Sequence, residues 1–220
     1  MKKINRNLKA VLFDMDGVLI DSETVYMDIL YSNLVQKYGF LNREDLYPIV
    51  GMDSESTHLF LYQVTREPLD NAAFDLYMEA VYRDMHVDDY KDILNPGVME
   101  TLEFLKKRKF KMALASSSKM YLIEKVLEQC GIASFFDYVI SGEQFAESKP
   151  NPEIYLTAMR EIGCTPDECI VVEDSSYGIE AGLSAGTYVI AKKDERFNID
   201  QSKADHQINA IDEIIELLTD

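Results

Sequence analysis

Hydrophobic positions divide the chain into two regimes. Lys9-Ala-Val-Leu-Phe-Asp14 is a short apolar run ending in an acidic turn, the pattern of a strand buried on both faces. Four similar runs occur, all in the second half: Lys111 to Ala115, Tyr138 to Ser141, Cys169 to Glu173 and Thr187 to Ala191. Helical spacing lies between them, with Ile123, Val126, Leu127 and Cys130 closed by Gly131, and Tyr155, Ala158, Met159 and Ile162 closed by Gly163. Pro96 reads as the first residue of a helix carrying Val98, Leu102 and Leu105, and Ile211, Ile214, Ile215 and Leu218 predict a C-terminal helix. Strands alternating with helices predict an α/β fold, a Rossmann-like parallel sheet covered on both faces.

Residues 21–92 break the alternation. Met27, Leu30, Tyr31, Leu34 and Tyr38 keep helical spacing, as do Phe74, Tyr77, Met78, Val81, Tyr82 and Met85, with no convincing strand between them. An insertion of this size is a functional element or a domain in itself. The expected organisation is therefore a core of residues 1–20 and 93–220 and an inserted all-helical cap domain over 21–92. The length of 220 residues suits one large domain with a smaller appendage.

Composition narrows the function. With 47% hydrophobic and 28% charged residues the chain is that of an ordinary globular protein. No apolar window is long enough for a membrane span, and Asp14 and Asp16 interrupt the run after the basic start before it could serve as a signal peptide. A cytoplasmic protein is expected, and a monomer. The net charge of −17 repels phosphate backbones and argues against a nucleic-acid or anionic-membrane partner, so an anionic substrate needs a locally positive pocket. Cys130, Cys164 and Cys169 lack the number and flanking histidines of a disulfide framework or zinc site.

In open parallel sheets, ligands sit beyond the carboxyl ends of the strands. Asp14 and Asp16 follow the first strand, Ser116, Ser117 and Ser118 the second, and Glu173 and Asp174 the fourth, while the loop after the third leads to Lys149-Pro150. Each group alone has a plainer use: a D-x-D turn, a serine N-cap, a solvated lysine, an acidic cap on the next helix. Gly178, Gly182 and Ala185 read as close packing of that helix on the sheet. Placed together, the groups are chemically coherent. Two like charges ~4 Å apart repel by about 4 kcal/mol at an effective dielectric near 20, so four converging carboxylates call for a divalent cation. All-oxygen ligands with room for water favour Mg²⁺ over zinc or calcium.

These motifs resemble the haloacid dehalogenase superfamily: Asp14-Met-Asp-Gly-Val-Leu-Ile-Asp-Ser22, Ala115-Ser116, Ser148-Lys149-Pro150-Asn-Pro152 and Val172-Glu-Asp-Ser175, in the family's order and over nearly the whole chain. Within it the chain is similar to the β-phosphoglucomutase-like phosphatases, whose helical cap follows the first strand. The resemblance implies that Asp14 is a nucleophile forming an aspartyl-phosphate and that Asp16 is the general acid, then base. It places Ser116, with Ser117 beside it, and Lys149 on the phosphate. It gives Mg²⁺ to Asp14, Asp174 and the backbone carbonyl of Asp16, with Glu173 a ligand or an acceptor behind the ligands.

An aspartate at position 16 favours phosphoester over halide chemistry, because a halide leaves without a proton. The mutases of this group carry a cap histidine and a cap-loop arginine; here the matching places are Tyr26 and, after Gly51, Asp53-Ser54. Arg43, Arg66 or His58 could supply a cation from elsewhere in the cap, though each also reads as a surface residue. No lysine lies between Lys37 and Lys91 to form a phosphonatase Schiff base. The expected activity is Mg²⁺-dependent hydrolysis of a small phosphorylated metabolite, a sugar or polyol phosphate. A hexose-phosphate mutase and a receiver-like phospho-switch are the alternatives, the switch being disfavoured by a cap and a leaving-group acid it would not need.

Overall fold

The computed structural model describes residues 4, 7–39, 42–50, 54–66, 71–84, 87–197 and 199–219. The chain divides into two compact units, one of Met1–Asp21, Asp89–Asp194 and Asp200–Asp220, the other of Ser22–Asp88 and Glu195–Ile199.

The first unit is built on β1 (Ala10–Phe13), β2 (Lys111–Ser116), β3 (Tyr138–Ser141), β4 (Cys169–Glu173), β5 (Tyr188–Lys192) and β6 (His206–Ile208). All pair in parallel, in the order β3-β2-β1-β4-β5-β6, confirming the α/β, Rossmann-like core. β1 and β4 are buried along their whole length, which is why their sequences are continuous apolar runs and not alternating ones. Ala10, Leu12, Ala113, Ala115, Val171 and Val189 face Ile154, Ala158 and Ile162 of α6 (Glu153–Ile162) and Ile179 and Ala181 of α7 (Ser176–Ser184). Helices α4 (Val98–Lys107) and α5 (Met120–Gln129) pack on β2 and β3, and the short α8 (Glu213–Leu217) lies against α4.

Two details depart from the sequence reading. Pro96 is not helical: Gly97, at φ 82°, is the N-cap, and α4 begins at Val98, because a left-handed residue cannot continue a helix back to the proline. The sixth strand, His206–Ile208, was not expected; a three-residue edge strand with a half-polar pattern carries no apolar run.

The second unit is helical. It comprises α1 (Ser22–Tyr38), a 3-10 segment at Arg43–Ile49, α2 (Ser54–Thr65) and α3 (Asn71–Asp84). Met27, Leu30 and Leu34 of α1 meet Leu46, Leu61, Phe74, Met78 and Val81 in one cluster. The spacing that predicted α1 and α3 is the spacing of these buried positions. Met85 lies outside the described residues. Glu195–Ile199 joins this unit through a T-shaped contact of Phe197 with Tyr47, ring centroids 5.4 Å apart. Among the described residues no helix is long and apolar enough to cross a membrane.

Candidate active site

The strand register brings the acidic groups to one level. Phe13 pairs with Val172, so Asp14, one residue on, stands beside Glu173, and the ladder continues with Asp14 N–H donating to the Val172 carbonyl at 3.0 Å. The order of strands reverses between β1 and β4, the place beyond the strand ends where open parallel sheets bind their ligands. Asp14, Glu173 and Asp174 are buried there, each offering a carboxylate oxygen within 4.8 Å of the others.

Lys149 enters this group from the loop after β3. Its side chain is 6% exposed, and Nζ donates to Asp14 Oδ1 at 2.5 Å, Glu173 Oε1 at 2.7 Å and the Ala115 carbonyl at 3.0 Å. Among the described residues no donor reaches Asp14 Oδ2. Glu173 is heavily bonded: Oε1 also accepts from Tyr155 Oη at 2.8 Å, and Oε2 accepts from the Asp174 N–H, the Ser175 N–H and Ser175 Oγ. This bonding makes Glu173 an organiser of the group more than an open ligand. Ser175 Oγ in turn accepts from the Gly178 N–H and caps α7, the task that Glu173-Asp174 could have had.

The protonation states follow from this arrangement. Burial works against the Lys149 charge, but Asp14 and Glu173 outweigh it and hold the ammonium well above its ordinary range. Burial also acts against ionised Glu173, yet Lys149, Tyr155 and the Ser175 N–H together hold it below the usual carboxylate range. Asp14 goes the other way: burial, opposed by Lys149 but reinforced by Glu173 and Asp16, pushes it up to about 8. Lys149 bridges Asp14 and Glu173, and the three buried carboxylates outnumber the buried ammonium groups near them, Lys149 and Lys192, so the group is short of positive charge. A hard divalent cation with oxygen ligands fits that deficit, with Asp14, Glu173 and Asp174 each able to offer a carboxylate oxygen.

Asp16 stands apart from the buried trio. Its carboxylate accepts a 2.7 Å hydrogen bond from Ser118 Oγ; the resemblance assigns Asp16 to the metal through its backbone carbonyl, on which this placement does not bear. Ser116 is fully buried at the end of β2, its Oγ accepting from the Ser118 N–H at 3.0 Å, while Ser117 is exposed. None of the three serines caps α5; Glu143 accepts from the Met120 N–H at 2.8 Å instead. In the helical unit Arg43 pairs with Asp28 at 2.6 Å and with the Tyr47 hydroxyl, His58 lies 3.5 Å from Asp75, and Arg66 is exposed. Gly51 and Asp53 lie outside the described residues.

Ser118 stood among the strand-end serines legible in the sequence, whereas sequence reasoning did not single out Tyr155, whose hydroxyl donates to Glu173. Tyr155 reads as one more core position of α6, and only its hydroxyl distinguishes it.

Two glycines are set by close approach. A Cβ on Gly17, at φ +74°, would stand 2.0 Å from Asp174 Oδ2. A Cβ on Gly178 would stand 1.8 Å from Glu173 Oε1, whereas on Gly182 it would meet Val189 and Val171, the sheet packing expected for both. Because the Glu173 carboxylate is held by five hydrogen bonds, it cannot yield easily. Gly178→Ala is expected to cost ~1–3 kcal/mol by overpacking, a fall in melting temperature of several degrees. A thermal melt unchanged from wild type would contradict this placement of Glu173.

A parallel sheet with a carboxylate–lysine centre at its topological switch point defines an α/β enzyme. A family model described as haloacid dehalogenase-like hydrolase matches residues 11–192, and the chain belongs to that family of hydrolases. A phosphorylated carbohydrates phosphatase of Thermotoga maritima is 34% identical over 184 residues, covering 81% of this chain and 82% of that protein. Hexitol phosphatase B of Escherichia coli K12 is 30% identical over 220 residues, 95% of each chain. A solved structure from Thermotoga maritima assigned as a β-phosphoglucomutase superposes with a TM-score of 0.73 at 30% identity, covering 96% of this chain and 99% of that one.

Proposed function

We propose that the protein is a Mg²⁺-dependent phosphatase that hydrolyses a phosphorylated sugar or polyol through an aspartyl-phosphate on Asp14. The observation that carries this reading is the buried Asp14 whose Oδ1 is held by Lys149 while Oδ2 has no donor among the described residues. Oδ2 attacks phosphorus, the bond from phosphorus to the sugar oxygen breaks, and Asp16 gives that oxygen a proton. Asp16 then takes a proton from water, which attacks phosphorus and releases phosphate, restoring Asp14. Lys149 and Ser116 hold phosphoryl oxygens as charge moves between them. Mg²⁺ held by Asp14 and Asp174 supplies the positive charge that lets a phosphate dianion approach a carboxylate. The printed activities of the two phosphatase relatives support a phosphorylated carbohydrate as substrate. The helical unit is read as the cap that selects it.

Mg²⁺ is expected to raise the melting temperature by mass action, by about 2.7 kcal/mol of stability at 100 times its Kd, and Asp174→Ala is expected to remove the rise. A melting temperature constant across a titration to millimolar Mg²⁺ would contradict the metal site.

The function itself is tested by phosphate release from a panel of sugar, polyol and aryl phosphates, with and without Mg²⁺. Hydrolysis of sugar monophosphates is expected, with negligible interconversion of 1- and 6-phosphates, since Tyr26 and Asp53-Ser54 replace the groups a mutase uses. Exchange between the two sugar positions outpacing release to water would establish the mutase instead.

A further inference from the structure

Lys192 is a buried cation that the chemistry above does not use. It ends β5, one residue beyond Ala191, which pairs with Glu173, so it stands on the level of Asp174. Nζ donates to the Gly17 carbonyl at 2.9 Å, and Asn95 Nδ2 reaches the same oxygen at 3.3 Å. Gly17 follows Asp16 directly, and its missing side chain leaves room for the Asp174 carboxylate, which a Cβ there would meet at 2.0 Å.

Behind this contact lies Gln201, also buried. Its Nε2 donates to the Asp174 carbonyl at 2.5 Å and to the Lys192 carbonyl at 2.9 Å, and its own carbonyl accepts from Gln207 of β6 at 3.0 Å. Desolvating an ammonium costs several kcal/mol, and an apolar side chain would pack the end of β5 without that penalty. The bond to the Gly17 carbonyl ties that buried charge to the turn.

We propose that Lys192 is a positioning residue for Asp16: through the Gly17 carbonyl it fixes the turn that carries the leaving-group acid, while Gln201 holds Lys192 and Asp174 in one frame. This rests on the phosphatase reading. A misplacement of ~1 Å in a reacting group can cost about 10²-fold in rate. The effect falls on proton delivery, so it shows where the leaving group needs a proton. An alkyl phosphate needs one, and an aryl phosphate with a stable phenolate does not.

The test compares kcat for a sugar phosphate and for an aryl phosphate in wild type, Lys192→Met, Asp16→Ala and the double variant, with Mg²⁺ present. Lys192→Met is expected to lower the sugar-to-aryl ratio roughly tenfold or more, and to add no further change to that ratio in the Asp16→Ala background. Its Mg²⁺-dependent rise in melting temperature should persist, reduced by at most the contribution of the Asp16 carbonyl on the loosened turn, because Asp14 and Asp174 are intact. If Lys192→Met does not fold, Lys192→Gln carries the same comparison. An unchanged ratio, a fully additive double variant or complete loss of the Mg²⁺ shift overturns the assignment, the last by placing the effect at Asp174. Wild type inactive on both phosphates would sink the phosphatase reading, and this inference with it. Wild-type activity with an unaltered ratio in the variant sinks this inference alone.

Discussion

Asp14→Asn is expected to lower phosphate release by ~10³-fold or more, since the substitution removes the attacking oxygen and does not merely weaken a contact. The fold should survive it. Asparagine has the same shape, Lys149 keeps Glu173 as its partner, and the change removes a carboxylate that burial already holds up to about 8. The expected pair of results is therefore loss of turnover with a melting temperature close to wild type. Release within tenfold of wild type in this variant would eliminate Asp14 as nucleophile.

Lys149→Met is expected to damage both stability and turnover. The lysine touches Asp14 and Glu173 at once, and without it two buried carboxylates lose their shared cation. Removing one partner of a buried ion pair costs about 3–5 kcal/mol. At ~2–4 °C per kcal/mol for a chain of this size, the melting temperature should fall by roughly 10 °C. Added Mg²⁺ should recover part of the stability, because it replaces positive charge at the same carboxylates, but little of the turnover. Lys149→Arg should not rescue either, because Asp14, Glu173 and the Ala115 carbonyl all lie within 3.0 Å of Nζ and leave no room for a guanidinium. A Lys149→Met protein as stable as wild type would contradict the charge balance described.

What could be read in the sequence was set by burial. Strands β1, β4 and β5 are buried along their whole length and β2 and β3 toward their carboxyl ends, so they stand out as largely apolar runs, and the polar residue ending each run marks the carboxyl edge of the sheet. Asp14, Ser116, Glu173 and Asp174 were legible for that reason, and Lys149 through its motif. The supporting residues were hidden by the same logic. Tyr155 keeps the helical spacing of a core residue, and nothing in that spacing says its hydroxyl reaches Glu173. Lys192 is hidden by a one-residue boundary: the apolar run ends at Ala191, whereas the strand continues to Lys192 and carries its amine to Gly17. Gln201 lies in irregular chain before a half-polar edge strand, where no periodicity points to a site. Gly178 reads as helix-to-sheet packing, but its close approach is to the Glu173 carboxylate, which only the register of β4 with α7 reveals.

The central claim is a covalent phosphoryl group on Asp14. Quenching the enzyme during turnover of a sugar phosphate in Mg²⁺ and reducing it with borohydride converts an aspartyl-phosphate to homoserine, which peptide mass mapping locates. Homoserine at position 14, dependent on both substrate and Mg²⁺, is the predicted result. Sustained turnover with Asp14 unmodified, or with the label at another residue, would contradict it.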